Sequence, residues 1–212
     1  PQPAASRGEC TRRMDSVRIA RSPGGSYANE MTRILGINGS MRPRSSADRA
    51  LQFAFKVLES AGAQCEGFEI GSLPLMYGRP EEHYPAAVGA FRAACSAADA
   101  FLITVPSYHG AIPGGLKNAL DFIDLPHAGG KPFALIGIAG GDAEPGVTDT
   151  ARVMRHIGGI AAVPDVVISR ASEHWGPGDQ PANASVKIAI AKVAEDLVAM
   201  AELRAAGKLP QP

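Results

Sequence analysis

Short apolar runs alternate with longer amphipathic stretches along most of the chain. Four of the runs are almost continuously hydrophobic, which is typical of parallel strands buried on both faces of a sheet. They cover residues 34–37, 100–105, 133–139 and 163–168. A fifth run, residues 65–70, alternates apolar and polar positions instead. That alternation predicts an edge strand with one face in water.

The stretches between these runs have the periodicity of helices. In residues 46–61, apolar side chains recur three and four positions apart, as on the buried stripe of an amphipathic helix. The other predicted helices cover residues 86–97, 113–123, 148–157 and 184–206. Five strands that alternate with five helices predict an α/β three-layer sandwich, in which helices cover both faces of a parallel sheet.

The two ends of the chain do not follow this pattern. Residues 1–30 are rich in Pro, Gly and Arg and have no sustained apolar period. We interpret them as a disordered arm or an upstream extension, with an organelle transit segment as the alternative. We assign residues 31–206 to one folded domain and residues 207–212 to a frayed tail.

Charge and cysteine content narrow the function classes. The chain has 21 Lys and Arg residues against 21 Asp and Glu residues, so its net charge gives no argument for nucleic acid or an anionic membrane as a partner. No apolar run approaches the roughly 18 residues that a membrane-spanning helix needs. Cys10, Cys65 and Cys95 lie far apart, which predicts neither a metal site nor a disulfide framework. We expect a reducing, cytoplasmic location, with Cys65 and Cys95 as buried apolar residues.

In a sheet of this kind, ligands bind beyond the carboxyl ends of the strands. The loop after the first strand contains Ser40, Arg42, Arg44, Ser45 and Ser46 and leads into the first helix. Hydroxyl groups, guanidinium groups and the N–H groups of a helix N-terminus all favour an anion. A serine at position 45 or 46 is also a good helix cap. Because neither a Walker motif nor GxGxxG is present, the loop suits the terminal phosphate of a mononucleotide.

Two further loops are expected at the same edge of the sheet. After the third strand, Tyr108 and His109 are placed to flank a flat ring, and Gly110 lets the backbone approach it closely. After the fourth strand, Gly140 and Gly141 can admit the edge of a ligand to backbone amides. The alternatives are a loop aromatic that caps the core for Tyr108, an ordinary polar loop residue for His109, and a flexible turn for the two glycines.

Two strings of residues resemble the NADPH-dependent FMN reductase family of flavodoxin-like proteins, and the similarity extends over roughly residues 32–200. The strings are Gly39-Ser40-x-Arg42-x-x-Ser45 and Pro106-x-Tyr108-x-Gly110-x-x-Pro113-Gly114-x-Leu116-Lys117-Asn118-x-Leu120-Asp121. The resemblance implies a flavodoxin-like fold with a five-stranded sheet of order 2-1-3-4-5 and a non-covalently bound FMN. It also implies a homodimer or homotetramer with the flavin near the interface.

The resemblance assigns roles to residues of the three loops. In the first loop, it implies that the FMN phosphate is held by Ser40, Arg42, Ser45 and Ser46. In the second loop, it implies that the ribityl chain and the ring are lined by Pro106, Ser107, Tyr108, His109 and Gly110. In the third loop, it implies that the far edge of the ring meets Gly140 and Gly141. Whether Ser45 or Ser46 binds the phosphate stays open. Asp142 follows the glycine pair, so it either points to solvent or lowers the redox potential of the flavin.

The function implied by the resemblance is hydride transfer from NADPH or NADH to FMN, and from FMN to free flavin, a quinone, an azo compound or a metal oxyanion. No protein side chain is expected to act as an acid, a base or a metal ligand. Two alternatives stay open: an FMN-binding electron carrier without its own nicotinamide oxidation, and a flavin-free regulatory protein.

Several residues outside the three loops also have candidate roles. Arg44, Arg79 and Arg152 are candidates for the 2′-phosphate of NADPH. Lys117 and Asp121 are four positions apart on a predicted helix, so they can form an ion pair of structural role. Residues 76–85 are expected to form a surface loop, and Trp175 is expected to be an interface aromatic or a local cover.

Overall fold

The computed structural model describes residues 31–161, 163–176 and 178–209, so the predicted segment 1–30 and the last three residues of the predicted tail lie outside it. Within these ranges one parallel sheet contains β1 (Arg33–Asn38), β2 (Gln64–Phe68), β3 (Ala100–Pro106), β4 (Pro132–Ile138), β5 (Ile160–Ala161) and β6 (Val166–Ile168). The order is β2-β1-β3-β4-β5, with β6 also paired to β4. This confirms the predicted flavodoxin-like order, with β2 at the edge.

The fifth position of the sheet differs from the prediction. The prediction of a single strand over residues 163–168 is wrong, because β6 covers only Val166–Ile168 of that range and a separate short strand, β5, precedes it; both pair with β4. Pro164 lies between them and has no N–H group to donate to the neighbouring strand. This missing donor explains why the pairing is interrupted and why the sheet has six strands rather than five.

Helices connect the strands of the described chain. They are α1 (Ser46–Ser60), α2 (Ala86–Ala97), α3 (Gly114–Leu120), α4 (Leu125–Ala128), α5 (Glu144–His156) and α6 (Ala184–Ala205). The sequence pattern missed α4, a short helix at whose start Asp124 N donates to His127 Nδ1 at 3.1 Å. Helix α5 begins at Glu144 rather than at residue 148, because Pro145 suits the first turn of a helix.

Helices cover both faces of the sheet, and each face has its own hydrophobic core. On one face, α1 and α6 pack against Ile34, Leu102 and Ile136. On the other face, α2, α3 and α5 pack against the alternating neighbours Leu35 and Ile103. Strands β3 and β4 are buried along their whole length because they lie inside the sheet. None of the helices that the structure describes is long and apolar enough to cross a bilayer.

Several individual predictions can be compared with the structure. The ion pair between Lys117 and Asp121 is confirmed. Trp175 is a local cover, since it is buried in the core under α1 and α6.

Cys95 is buried, but Cys65 is only half-buried, so the prediction that both are buried is wrong for Cys65. The cause is that Cys65 lies on the edge strand β2. Burial raises the pKa of the Cys95 thiol to about 12 and that of the Cys65 thiol to about 11.

Candidate functional site

The first loop, between β1 and α1, is held against β3. Gly39 N donates to Thr104 O at 2.8 Å. The side-chain oxygen of Asn38 accepts a hydrogen bond from Ser40 N at 3.0 Å. A Cβ atom at Gly39 would lie 2.6 Å from Thr104 O, so glycine is needed for this close approach. These contacts fix the start of the loop where β1 and β3 end.

Ser45 and Ser46 have different places in the first loop. Ser45 Oγ accepts from Asp48 N at 3.0 Å, so Ser45 is the N-cap of α1. Ser46 is the first residue of that helix and is half-buried. A capping serine still has its hydroxyl hydrogen to donate, and both serines border the same cavity. Either hydroxyl group can therefore donate to an anion bound there.

A cavity of about 160 Å³ lies where the three predicted loops meet. Eight of the predicted site residues border it: Ser40, Arg42, Ser45, Ser46, Pro106, Ser107, Tyr108 and Gly140. The other three, His109, Gly110 and Gly141, do not. The volume is below the roughly 300 Å³ of a pocket that encloses a whole ligand. The cavity is therefore too small to enclose a whole ligand, and part of a larger ligand would lie at the surface.

The second loop is a tight turn at the end of β3. Tyr108 and Ala111 exchange two backbone hydrogen bonds of 3.3 and 3.2 Å. Between them, His109 and Gly110 have φ angles of 53° and 73°, the signs of a type I′ turn. Tyr108 is 53% exposed while bordering the cavity. Its ring is thus available to contact a flat ligand from the solvent side.

A buried hydroxyl group in the second loop lacks a partner. Ser107 Oγ is inaccessible to solvent, and no described residue forms a hydrogen bond with it. Helix α5 packs close by, since a Cβ atom at Gly146 would lie 2.9 Å from Pro106 O. Leaving a buried hydroxyl unpaired is costly. This atom therefore fits a ligand that brings its own hydrogen-bonding groups, as the ribityl hydroxyls of FMN do.

The Asp142 carboxylate of the third loop accepts hydrogen bonds from other residues of the protein. Its Oδ1 atom accepts from Glu144 N at 3.1 Å and from Ser169 Oγ at 3.5 Å. Asp142 is exposed and does not border the cavity, which favours the first of the two alternatives, a carboxylate that points to solvent. A Cβ atom at Gly140 or Gly141 would meet no atom of the described residues within 4 Å, so these residues leave the space above the glycine pair open.

Positive charge gathers at the mouth of the cavity. Arg42 is exposed, and within the described ranges no carboxylate lies within ion-pairing distance of it. The N-terminus of α1 adds its dipole to the same place. The cavity mouth is therefore suited to an anion.

Some residues at or near the site were not predicted from the sequence pattern. Ala171 borders the cavity although it follows the third loop by many residues, and nothing in the sequence indicates its position. Arg49 on α1 helps to hold the segment that follows Ala171, because its Nη2 atom donates a hydrogen bond to Gly176 O at 2.7 Å. Asn38 could have been identified, since an asparagine before Gly-Ser commonly caps a turn with its side chain.

Comparisons with known proteins identify the family of this chain. Residues 32–173 match the family model of NADPH-dependent FMN reductases. The chain is 32% identical over 152 residues to a 2-hydroxy-1,4-benzoquinone reductase from a Burkholderia species, with 70% of this chain and 80% of the relative covered. It is 31% identical over 163 residues to the probable NADPH:quinone oxidoreductase 2 of Oryza sativa subsp. japonica, with 74% and 77% covered.

Solved structures support the fold. The flavoenzyme FerB of Paracoccus denitrificans, an NAD(P)H:(acceptor) oxidoreductase, superposes with a TM-score of 0.71 at 22% identity, covering 81% of this chain and 98% of FerB. The family match covers most of the sandwich and includes the three loops that border the cavity. With its two motifs at the carboxyl ends of β1 and β3, the chain belongs to the NADPH-dependent FMN reductase family and is an oxidoreductase.

Proposed function

We propose that this chain binds FMN across the three loops and uses it to oxidise NADPH or NADH and to reduce a small acceptor. The observation that carries this proposal is the meeting of eight predicted residues around one cavity with a positively charged mouth. Bound FMN would supply the hydride acceptor for the nicotinamide and the hydride donor for the second substrate. The protein residues bind and orient the two reactants.

The phosphate end of the cofactor would lie in the first loop. Ser40, Ser45 and Ser46 would donate their hydroxyl hydrogens to phosphate oxygens, and Arg42 would supply a guanidinium fork. The buried Ser107 hydroxyl would pair with the ribityl chain, which resolves its lack of a partner in the described chain.

The ring end of the cofactor would lie between the second and third loops. Tyr108 would pack against the ring, while Gly140 and Gly141 leave room for its far edge. Pro106 lines the wall, and His109 and Gly110, which lie outside the cavity lining, would meet the part of the ring that extends beyond it. An exposed ring face is what stacking with a nicotinamide requires.

The acceptor that the comparisons favour is a quinone. Two relatives that share about a third of their aligned residues with this chain carry the names of a benzoquinone reductase and a quinone oxidoreductase. Free flavin, an azo compound and a metal oxyanion are further acceptors that can reach an exposed flavin ring. A screen of these four classes on the FMN-loaded protein would rank them.

A homodimer or homotetramer in the cytoplasm is part of the proposal. Leu75 and Tyr77 are 76% and 68% exposed on one loop, and neighbouring exposed apolar side chains are common where proteins associate. Cys65 and Cys95 are free thiols, as is usual in a reducing compartment.

Rapid mixing of FMN-loaded protein with NADPH tests the proposed activity. We expect the flavin absorbance to bleach at a rate within the usual enzymatic range of about 1–1,000 per second, and a benzoquinone to restore it. The control is the same protein mixed with adenosine 2′,5′-bisphosphate, which has no hydride to give. Protein that keeps its FMN but is reduced by neither NADPH nor NADH would contradict the enzyme and favour the electron carrier.

A further inference from the structure

The three arginines considered for the 2′-phosphate of NADPH have different surroundings. The Arg79 guanidinium lies 4.1 Å from the ring centroid of Tyr77 and 5.3 Å from that of Tyr84, and Nη1 donates to His83 O. Arg79 is thus engaged in holding its own loop. Arg152 pairs with Asp149 at 3.1 Å, so an adjacent carboxylate offsets its charge. These two arginines are poorly placed to receive a phosphate.

Arg44 is less constrained than the other two. Its side chain is 83% exposed, and within the described residues its ion-pair partner is Asp179, which is also exposed, at 3.6 Å. Exposed pairs of this length are weak and readily exchanged for a stronger partner. Arg44 also has a φ angle of 52°, a conformation that glycine or asparagine adopts more easily. A strained arginine at this position points to a use for its side chain.

A groove of about 470 Å³ lies beside Arg44, on the opposite side of the first loop from strands β3 and β4. Its size is within the range of small-molecule sites. It runs between the first turns of α1 and the end of β2, and it shares Ser40 and Arg42 with the smaller cavity. A ligand in the groove would therefore lie next to a ligand in the cavity.

The groove combines the groups that an adenosine phosphate needs. The half-buried Phe68 and the exposed Met41 offer apolar surface for a flat base, and Gln52 offers an amide for its polar edge. Asp48 and Glu69 can accept hydrogen bonds from ribose hydroxyls. Their negative charge disfavours a phosphate near them, which directs a phosphate toward Arg44.

We infer that the groove between α1 and β2 binds the adenosine half of NADPH, and that Arg44 recognises its 2′-phosphate and so selects NADPH over NADH. This inference rests on the proposed function, because it needs a nicotinamide that reaches FMN in the adjoining cavity. Arg42 is assigned to the FMN phosphate, so the two exposed arginines of the first loop serve two different phosphates.

The test compares Arg44→Gln with Arg152→Gln in the FMN-loaded full chain. The control removes the same charge from an exposed arginine on α5. Calorimetric titrations with adenosine 2′,5′-bisphosphate and with adenosine 5′-monophosphate measure binding, and kcat/KM for NADPH divided by that for NADH measures selection. We expect wild type to bind the bisphosphate at least about tenfold more tightly than the monophosphate, as a charge-assisted contact provides. Arg44→Gln is expected to lose that preference and Arg152→Gln to keep it.

The outcomes separate this inference from the proposed function. If neither cosubstrate is oxidised, the proposed function fails, while the nucleotide titrations still decide whether the groove recognises the 2′-phosphate. If oxidation proceeds and Arg44→Gln keeps the wild-type preference in both measurements, the inference is overturned and the proposed function stands. Release of flavin by Arg44→Gln, with its nucleotide preference intact, would assign Arg44 to FMN and would also overturn the inference.

Discussion

Replacing Arg42 with alanine is expected to weaken FMN binding by about tenfold to a hundredfold. A guanidinium group that pairs with phosphate makes charge-assisted hydrogen bonds, each of which contributes about 1.5–3 kcal/mol. Arg42 is exposed and has no carboxylate partner in the described chain, so its loss should affect the bound anion more than the fold. Quenching of flavin fluorescence on titration gives the dissociation constants of both proteins.

Lys117→Ala is the matched control for this measurement. It also removes one positive charge, but Lys117 pairs with Asp121 on α3 and does not border the cavity. We expect its FMN affinity to stay within about twofold of wild type, as is usual for surface substitutions away from a site. Equal FMN affinity of Arg42→Ala and wild type would contradict the assignment of the phosphate to the first loop.

Gly39→Ala is expected to destabilise the protein by about 1–3 kcal/mol and to lower its affinity for FMN. The new Cβ atom would lie 2.6 Å from Thr104 O and 3.0 Å from the Leu116 side chain. Because Thr104 O belongs to the backbone of β3, it cannot move aside cheaply. The first loop has to shift instead, and it carries Ser40 and Arg42 with it. Urea unfolding measures the first effect and flavin titration the second.

Gly89→Ala provides the control for the glycine substitution. Gly89 lies within α2, and a Cβ atom there would meet none of the chain that the structure describes within 4 Å. Alanine is a better helix former than glycine, so we expect a gain of about 0.5–1 kcal/mol and unchanged FMN affinity. A Gly39→Ala protein as stable as wild type, with full FMN affinity, would show that the close approach to β3 does not shape the site.

The central part of the fold could be predicted because buried parallel strands have a distinctive pattern. Strands β3 and β4 are apolar at nearly every position, and α1 repeats its apolar side chains with helical spacing. The fifth strand was less predictable, because Val163 belongs to the same apolar run as Ile168 although Pro164 interrupts the pairing between them. A run of apolar residues does not show where hydrogen bonding stops.

The site could be predicted in part because parallel strands end at the same edge of the sheet. That rule, together with the Ser and Arg residues of the first loop and Tyr108 in the second, brought most of the cavity lining together. Ala171 could not be found, since a small apolar residue far along the chain has no chemical signature. The use of Asp142 inside its own loop also needed the structure, because Ser169 is distant in sequence.

Comparing FMN with riboflavin tests the central claim most directly, because the two ligands differ only in the phosphate. If the hydroxyl groups of the first loop, Arg42 and the N-terminus of α1 hold that phosphate, wild-type protein should bind FMN at least about a hundredfold more tightly than riboflavin, since several charge-assisted contacts act together. Equal affinity for the two ligands, or no saturable binding of either, would contradict the account.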